Sequence, residues 1–112
     1  MNLKDIKNQE ELKTYHYYDQ PLIYSCKIKD NLYFVIPWGS IDNLFAYFET
    51  SQEELDKLEA NLVPMKEFMR RSLIKPCFLV NEAKKEITKL SKEVFKKDCY
   101  PEDNVYLDFN NK

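Results

Sequence analysis

The chain has 112 residues, 44% of them hydrophobic and 14% aromatic, and a formal net charge of −2. This composition excludes a disordered tail, and the length predicts one domain over residues 1–112. The negative charge argues against a dedicated nucleic-acid binder, which needs a basic field to neutralise phosphates. No apolar run approaches the roughly 18 residues of a membrane span. The polar start also lacks the apolar part of a signal peptide, so we expect a cytoplasmic protein with no membrane partner.

The first part of the chain predicts little regular structure. Residues 2–13 carry Leu3, Ile6 and Leu12 among charged residues, a thin apolar stripe that favours a short helix at most. Residues 14–18, TYHYY, then lead into the first predicted strand.

Residues 19–37 predict two β-strands joined by a tight turn, and the rest of the predicted sheet is built on this pair. Apolar and polar residues alternate over residues 22–28, which is typical of a strand with one buried face. Asp30 and Asn31 tolerate a positive φ and are predicted to form the two-residue loop. Residues 32–36 are apolar on both faces, as in a central, covered strand.

A third strand and two helices are predicted next. Leu44–Thr50 alternates again and reads as a strand. Ser51 and Glu54 match the S-x-x-E pattern of a capping box, which predicts the start of a helix. Pro64 suits the first turn of a second helix, and Pro76 ends it. The apolar stripes of the two helices are Leu55, Leu58 and Leu62, then Met65, Phe68 and Met69.

Residues 81–97 leave two alternatives open. Their apolar residues recur at helical spacing, which favours one amphipathic helix. The alternative is a turn, a strand over residues 85–90 and a short helix that begins at Ser91. Ile87 and Leu90 have opposite parity, which counts against that strand.

Together these elements predict an α+β fold. We expect an antiparallel sheet of about five strands that begins as a meander, with two short helices packed on one face. Residues 77–80 form an apolar run of strand length, and residues 105–109 are a candidate closing strand. The predicted core comprises Leu22, Tyr24, Phe34, Ile36, Phe48, Leu55, Leu58 and Phe68.

The motifs DQPL at residues 19–22 and YPEDNVYL at residues 100–107 carry a resemblance. With the runs between them, they resemble a family of small bacterial and phage domains of unknown function, over about residues 15–109. Gln20 and Asn61 stand where glycine is usual in that family, and asparagine is the next-best residue for a positive φ. The resemblance implies a strand pair after the second helix and therefore favours the hairpin over the long helix. It implies no activity and no catalytic residue.

Signals for catalysis are weak, and we expect no enzyme, no metal and no cofactor. His16 is the only histidine, so any histidine-based general acid or triad would have to use it. Cys26, Cys77 and Cys99 show no C-x-x-C spacing and are expected to be buried, reduced thiols. With one glycine in the chain, a glycine-built phosphate cradle is nearly excluded.

The aromatic residues favour a role in binding. Tryptophan and tyrosine are residue types that anchor interfaces. The candidates are Trp38, on a predicted polar loop, and Tyr15, Tyr17 and Tyr18. We therefore predict a non-catalytic binding module that acts through protein–protein interaction or self-association, most simply as a two-fold homodimer. By analogy of size and family setting, small regulators and counter-defence proteins of bacteria and phages fit this description.

The first alternative is a site for a small, nucleotide-like ligand. Tyr17, Tyr18 and Trp38 can stack on a base, and Arg70 and Arg71 can clamp a phosphate. This alternative requires these side chains to meet in the fold.

The second alternative is a nucleic-acid-binding module. It would use NLYFVIP, residues 31–37, as an aromatic strand on which bases stack. A basic stretch would supply phosphate contacts, although such a run is more often a solvated face. Its lysines are Lys84, Lys85, Lys89, Lys92, Lys96 and Lys97.

Overall fold

A computed structural model describes residues 2–18, 20–38 and 43–91. Within them the chain forms a six-stranded antiparallel meander in which each strand pairs with its neighbours in sequence. The strands are β1 (Glu10–Tyr18), β2 (Gln20–Ile28), β3 (Asn31–Pro37), β4 (Leu44–Thr50), β5 (Cys77–Asn81) and β6 (Glu86–Lys89). The helices are α1 (Leu3–Lys7), α2 (Gln52–Glu59) and α3 (Met65–Ser72). None of these helices is long and apolar enough to cross a membrane.

The sheet buries both of its faces. Alternate side chains of a strand point to opposite faces, and along β3 Phe34 and Ile36 belong to one apolar cluster while Tyr33 and Val35 belong to another. The first, here called the helix-side cluster, contains Leu55 and Leu58 of α2 and the apolar stripe of α3, as predicted for a helix pair on one face. Leu62, predicted to belong to the first stripe, lies beyond the end of α2 and is 74% exposed. The second, here called the second-face cluster, comprises Ile6, Tyr24, Cys26, Ile28, Tyr33, Val35, Phe45, Tyr47, Phe78 and Val80.

Burial on both faces confirms most of the predicted core and corrects one inference about β2. The predicted apolar face of β2, with Tyr24 and Cys26, lies away from the helix pair in the second-face cluster. Ser25, predicted to face solvent, is 2% exposed, and its parity is opposite to that of Tyr24, which puts it on the helix side of the sheet. The side chain of Leu22 lies outside the described residues, and the seven other predicted core residues are buried.

The strand β1 was not predicted. A short helix was expected within residues 2–13, but α1 ends at Lys7 and the chain enters β1 at Glu10. The strand is polar, and its pairing with β2 shifts register three times, near Lys13 and His16. Such bulges break the period-2 alternation by which a strand is recognised in a sequence, which explains the omission.

The turn between β2 and β3 lies one residue earlier than predicted. Ile28 pairs with Asn31, so the two-residue loop is Lys29-Asp30 rather than Asp30-Asn31. Both loop residues have a positive φ, 51° and 75°, as the favoured hairpin turns require. The Lys29 ammonium lies 3.4 Å from the Asp5 carboxylate of α1. The turn therefore holds a lysine in a conformation that suits asparagine or glycine better.

Replacing Lys29-Asp30 with Asn-Gly should raise the free energy of unfolding by about 1 kcal/mol, because that pair adopts the two positive φ angles at lower cost. Urea unfolding of the double variant measures the gain. The Asp5→Asn variant is the control for the ion pair that is lost, because asparagine removes the charge that faces Lys29 but can still accept the hydrogen bond from the Asn2 N–H. A double variant that is less stable than the parent would contradict the turn assignment.

Caps delimit α2 at both ends. The Ser51 hydroxyl accepts a hydrogen bond from the Glu54 backbone N–H at 3.3 Å, as predicted, while the Glu54 carboxylate faces Arg71 and Lys57. Asn61 has a φ of 59° at the other end. There the Leu62 N–H bonds the Lys57 carbonyl at 3.0 Å and the Asn61 N–H bonds the Leu58 carbonyl at 3.2 Å, the pattern of a Schellman motif.

The hairpin, not the long helix, forms after residue 80. Strand β6 pairs with β5 across a turn in which Lys85 has a φ of 55°. The opposite parity of Ile87 and Leu90 is no obstacle, because Ile87 packs on the second-face cluster and Leu90 joins the helix-side cluster. The predicted short helix after Ser91 and the closing strand over residues 105–109 lie outside the described residues.

Candidate functional site

A groove of about 490 Å³ lies where β4 ends, α2 begins and α3 ends. It forms because Ser51 turns the chain from the sheet directly into α2, and the turn at Asn61 brings α3 back so that its last residues face the first turn of α2. We call it the 49–75 groove. Its lining residues are Glu49, Thr50, Ser51, Glu54, Arg71, Ser72, Ile74 and Lys75.

One wall of the 49–75 groove is an ion-pair network between the two helices. The Arg71 guanidinium lies 3.3 Å from the Glu54 carboxylate of α2 and 3.9 Å from Glu67 of its own helix. Glu54 also lies 3.9 Å from the Lys57 ammonium. These side chains are partly exposed, so each pair is worth under about 1 kcal/mol. The network orients Arg71 towards carboxylates within the chain.

The floor of the groove is buried and polar. The Ser72 hydroxyl donates to the Phe68 carbonyl at 2.9 Å, and the Cys77 thiol donates to the Ser72 carbonyl at 3.2 Å. Thr50 is only 7% exposed, and among the described residues its hydroxyl has no hydrogen-bond partner. A buried hydroxyl in that state costs free energy until a partner reaches it.

The rim of the groove carries an apolar side chain in solvent. Ile74 follows the end of α3 and is 83% exposed, more than Leu62 or Leu12, the other large apolar residues exposed in the described part of the chain. Lys75 lies beside it on the same rim. An exposed isoleucine alone needs no explanation, but one that borders a groove is a candidate anchor for a partner.

Trp38 and Tyr15 are not on the surface, which corrects the expectation that they are exposed anchors. Trp38 is 2% exposed and its ring lies 6.2 Å from that of Phe48 in the helix-side cluster. The backbone N–H of Trp38 donates to the Leu44 carbonyl at 2.9 Å, so strand pairing continues past Pro37. The Trp38 side chain therefore points to the same face of the sheet as Phe34. Tyr15 is 4% exposed and packs against the Phe34 ring at 6.0 Å.

The predicted ligand set does not assemble. Arg71 lines the groove, whereas Arg70 is exposed and donates to the Glu67 carboxylate at 2.7 Å. Trp38 is in the core. The side chains of Tyr17 and Tyr18 lie outside the described residues.

Two buried polar networks were missed from the sequence, because each joins residues far apart in the chain. The Tyr24 and Tyr47 hydroxyls lie 3.1 Å apart, and both donate to the Gln9 side-chain carbonyl. On the other face, the Glu59 carboxylate accepts from the Lys13 ammonium at 2.6 Å and from the Tyr15 hydroxyl at 3.4 Å. Both tie the start of the chain to the rest of the domain and need no ligand to explain them.

The described thiols are not poised for chemistry. Burial raises the pKa of Cys26 to about 12 and that of Cys77 to about 11, so both stay protonated and unreactive at neutral pH. Within residues 2–18, 20–38 and 43–91, no three metal-ligating side chains lie together. The imidazole of His16 lies outside the description.

No protein-family model, no curated protein and no solved structure matches the chain. The resemblance to the family of small bacterial and phage domains therefore stays a prediction.

Proposed function

We propose that this chain is a non-catalytic binding module that acts through contact with protein, and that the 49–75 groove is its contact surface. The observation that carries the proposal is the position of Ile74, 83% exposed on the rim of a groove that it lines itself. Interfaces are typically built from an apolar anchor, a polar rim and pockets that exclude water. The ion pair of Arg71 and Glu54 supplies such a rim.

The nucleotide alternative has less support in the groove. A phosphate site needs cations and helix N–H groups that are open to the anion. The start of α2 is instead capped by Ser51 and carries Glu53 and Glu54 in its first turn. Arg71 is oriented towards Glu54 and Glu67. A triphosphate would have to displace these carboxylates.

The nucleic-acid alternative meets two physical obstacles. The aromatic residues of β3 cannot stack on bases, because Tyr33 is 3% exposed and Phe34 is fully buried. Of the basic stretch, Lys84, Lys85 and Lys89 are exposed on the β5–β6 hairpin, but Glu82 and Glu86 lie beside them and lower the local positive charge. The lysines at 92, 96 and 97 lie outside the described residues.

The proposal also covers the biological setting predicted from the resemblance. A small module that binds a protein through one groove suits a regulator or a counter-defence protein of bacteria or phages. That setting rests on size and family resemblance, and it is an analogy.

Photo-crosslinking tests the contact surface. A benzophenone-bearing phenylalanine analogue placed at Ile74 should crosslink to a protein in cells that express the chain, and mass spectrometry of the adduct identifies that protein. The matched control is the same analogue at Leu62, 74% exposed and beyond the opposite end of α3. We expect one dominant protein adduct from position 74. Equal, scattered adducts from both positions would count against the 49–75 groove.

A further inference from the structure

We infer that the occupant of the 49–75 groove is a second copy of this chain, docked about a two-fold axis. This inference rests on the proposed function and names the partner. In a two-fold interface each copy uses the same surface, so that surface must carry both parts of every contact. The 49–75 groove meets this requirement in shape and in charge.

The shape requirement is met by Ile74 and the groove beside it. Ile74 projects into solvent from the rim, and the space it borders is about 490 Å³. In the proposed dimer, the Ile74 side chain of each copy enters the groove of the other.

The charge requirement is met by Glu49 and Lys75. Both line the groove, one from the end of β4 and one from the segment after α3, and within the described residues neither forms an ion pair. Rotation about the axis brings Glu49 of one copy towards Lys75 of the other, twice per dimer. Glu54 and Arg71 already satisfy each other within one chain. Complementary charges of this kind select the partner and its orientation.

Analytical ultracentrifugation of the full chain over a concentration series tests the inference. We expect a monomer–dimer equilibrium that Ile74→Asp shifts to monomer and Leu62→Asp leaves unchanged. Glu49→Lys alone and Lys75→Glu alone should each weaken the dimer at least tenfold, since each places like charges together in both pairs. An equimolar mixture of these two variants should dimerise again, because both cross-copy pairs are then opposite in sign. The double variant Glu49→Lys/Lys75→Glu should dimerise for the same reason.

Three results would overturn the inference. They are a wild-type chain that stays monomeric at millimolar concentration, a dimer that the single charge reversals do not weaken, and a mixture that does not recover dimerisation. Circular dichroism of each variant shows that the fold is retained. The proposed function is tested separately. If the crosslinker at position 74 forms an adduct with a different protein, the 49–75 groove is still a binding surface, but its occupant is not a second copy of the chain.

Discussion

Replacing Trp38 with alanine should lower the free energy of unfolding by about 3–5 kcal/mol, the usual cost of truncating a large buried aromatic residue. Trp38 is 2% exposed and packs in the helix-side cluster against Phe48. The loss combines the apolar area returned to water with the cavity left between the sheet and the helices. Since Trp38 is the only tryptophan, unfolding must be followed by far-ultraviolet circular dichroism in urea rather than by its fluorescence.

The matched control is Leu62→Ala, because Leu62 is also a large apolar residue but is 74% exposed. Its substitution should change the free energy of unfolding by less than about 0.5 kcal/mol. The Trp38 result also decides between two roles. A Trp38→Ala protein that keeps its stability but no longer binds a partner would restore Trp38 as an interface anchor.

The free energy of unfolding should be constant from neutral pH to about pH 9 and should then fall steeply towards pH 12. Burial raises the pKa of Tyr15 and of Tyr24 from 10.0 to about 12, and that of Cys26 from 9.0 to about 12. These groups are held neutral in the fold, so the unfolded chain releases their protons first. Their contribution is complete below the unfolded pKa and is lost as pH rises through the folded pKa.

The magnitude follows from the same pKa values. A difference of two pH units between the folded and unfolded pKa of one group corresponds to about 3 kcal/mol. Tyr15, Tyr24 and Cys26 lie on both faces of the sheet, so their losses accumulate and most of the stability of a domain this size should be gone by pH 12. Urea titrations at a series of pH values, together with tyrosinate absorbance, measure both the stability and the ionisation.

Tyr24→Phe separates ionisation from simple alkaline damage. It removes one titrating hydroxyl, with its hydrogen bond to Gln9 and its contact with Tyr47, so it should cost about 1 kcal/mol at neutral pH. Between pH 10 and 12 it should lose less stability than the parent, and the two curves should converge or cross. Parallel curves would show that Tyr24 does not titrate as its burial implies.

The proposed binding role agrees with the burial of the described thiols and tyrosines. Burial raises the pKa of the described thiols and of four tyrosines in the two clusters, and the polar networks at Gln9 and Glu59 join residues of the same chain. The surface of the described residues includes a groove whose rim carries the exposed Ile74 and residues of both charges. These surface features are the ones on which the proposed contact with protein rests.

Local signals in the sequence determined much of the fold. The alternation in β2 and β4 and the cap at Ser51 act over a few residues, and each predicted its element correctly. The α+β class and the meander followed, because short connections make neighbouring strands pair. The β2–β3 turn lies one residue earlier than predicted because the pairing of the strands, which matches Ile28 with Asn31, sets the loop and overrides the local turn preference.

Only the tertiary structure decided which surfaces are buried and which meet. In the sequence, Trp38 is interpreted as a loop residue. In the structure, the hydrogen bond from its backbone N–H to the Leu44 carbonyl extends the β3–β4 pairing, and the ring lies in the core. The opposite parity of Ile87 and Leu90 argues against a strand only in a sheet with one buried face. In this sheet both faces are covered, and each residue packs on a different one. The 49–75 groove joins a strand end, a helix start and a helix end. These sites depend on contacts between distant residues, and local periodicity carries no information about such contacts.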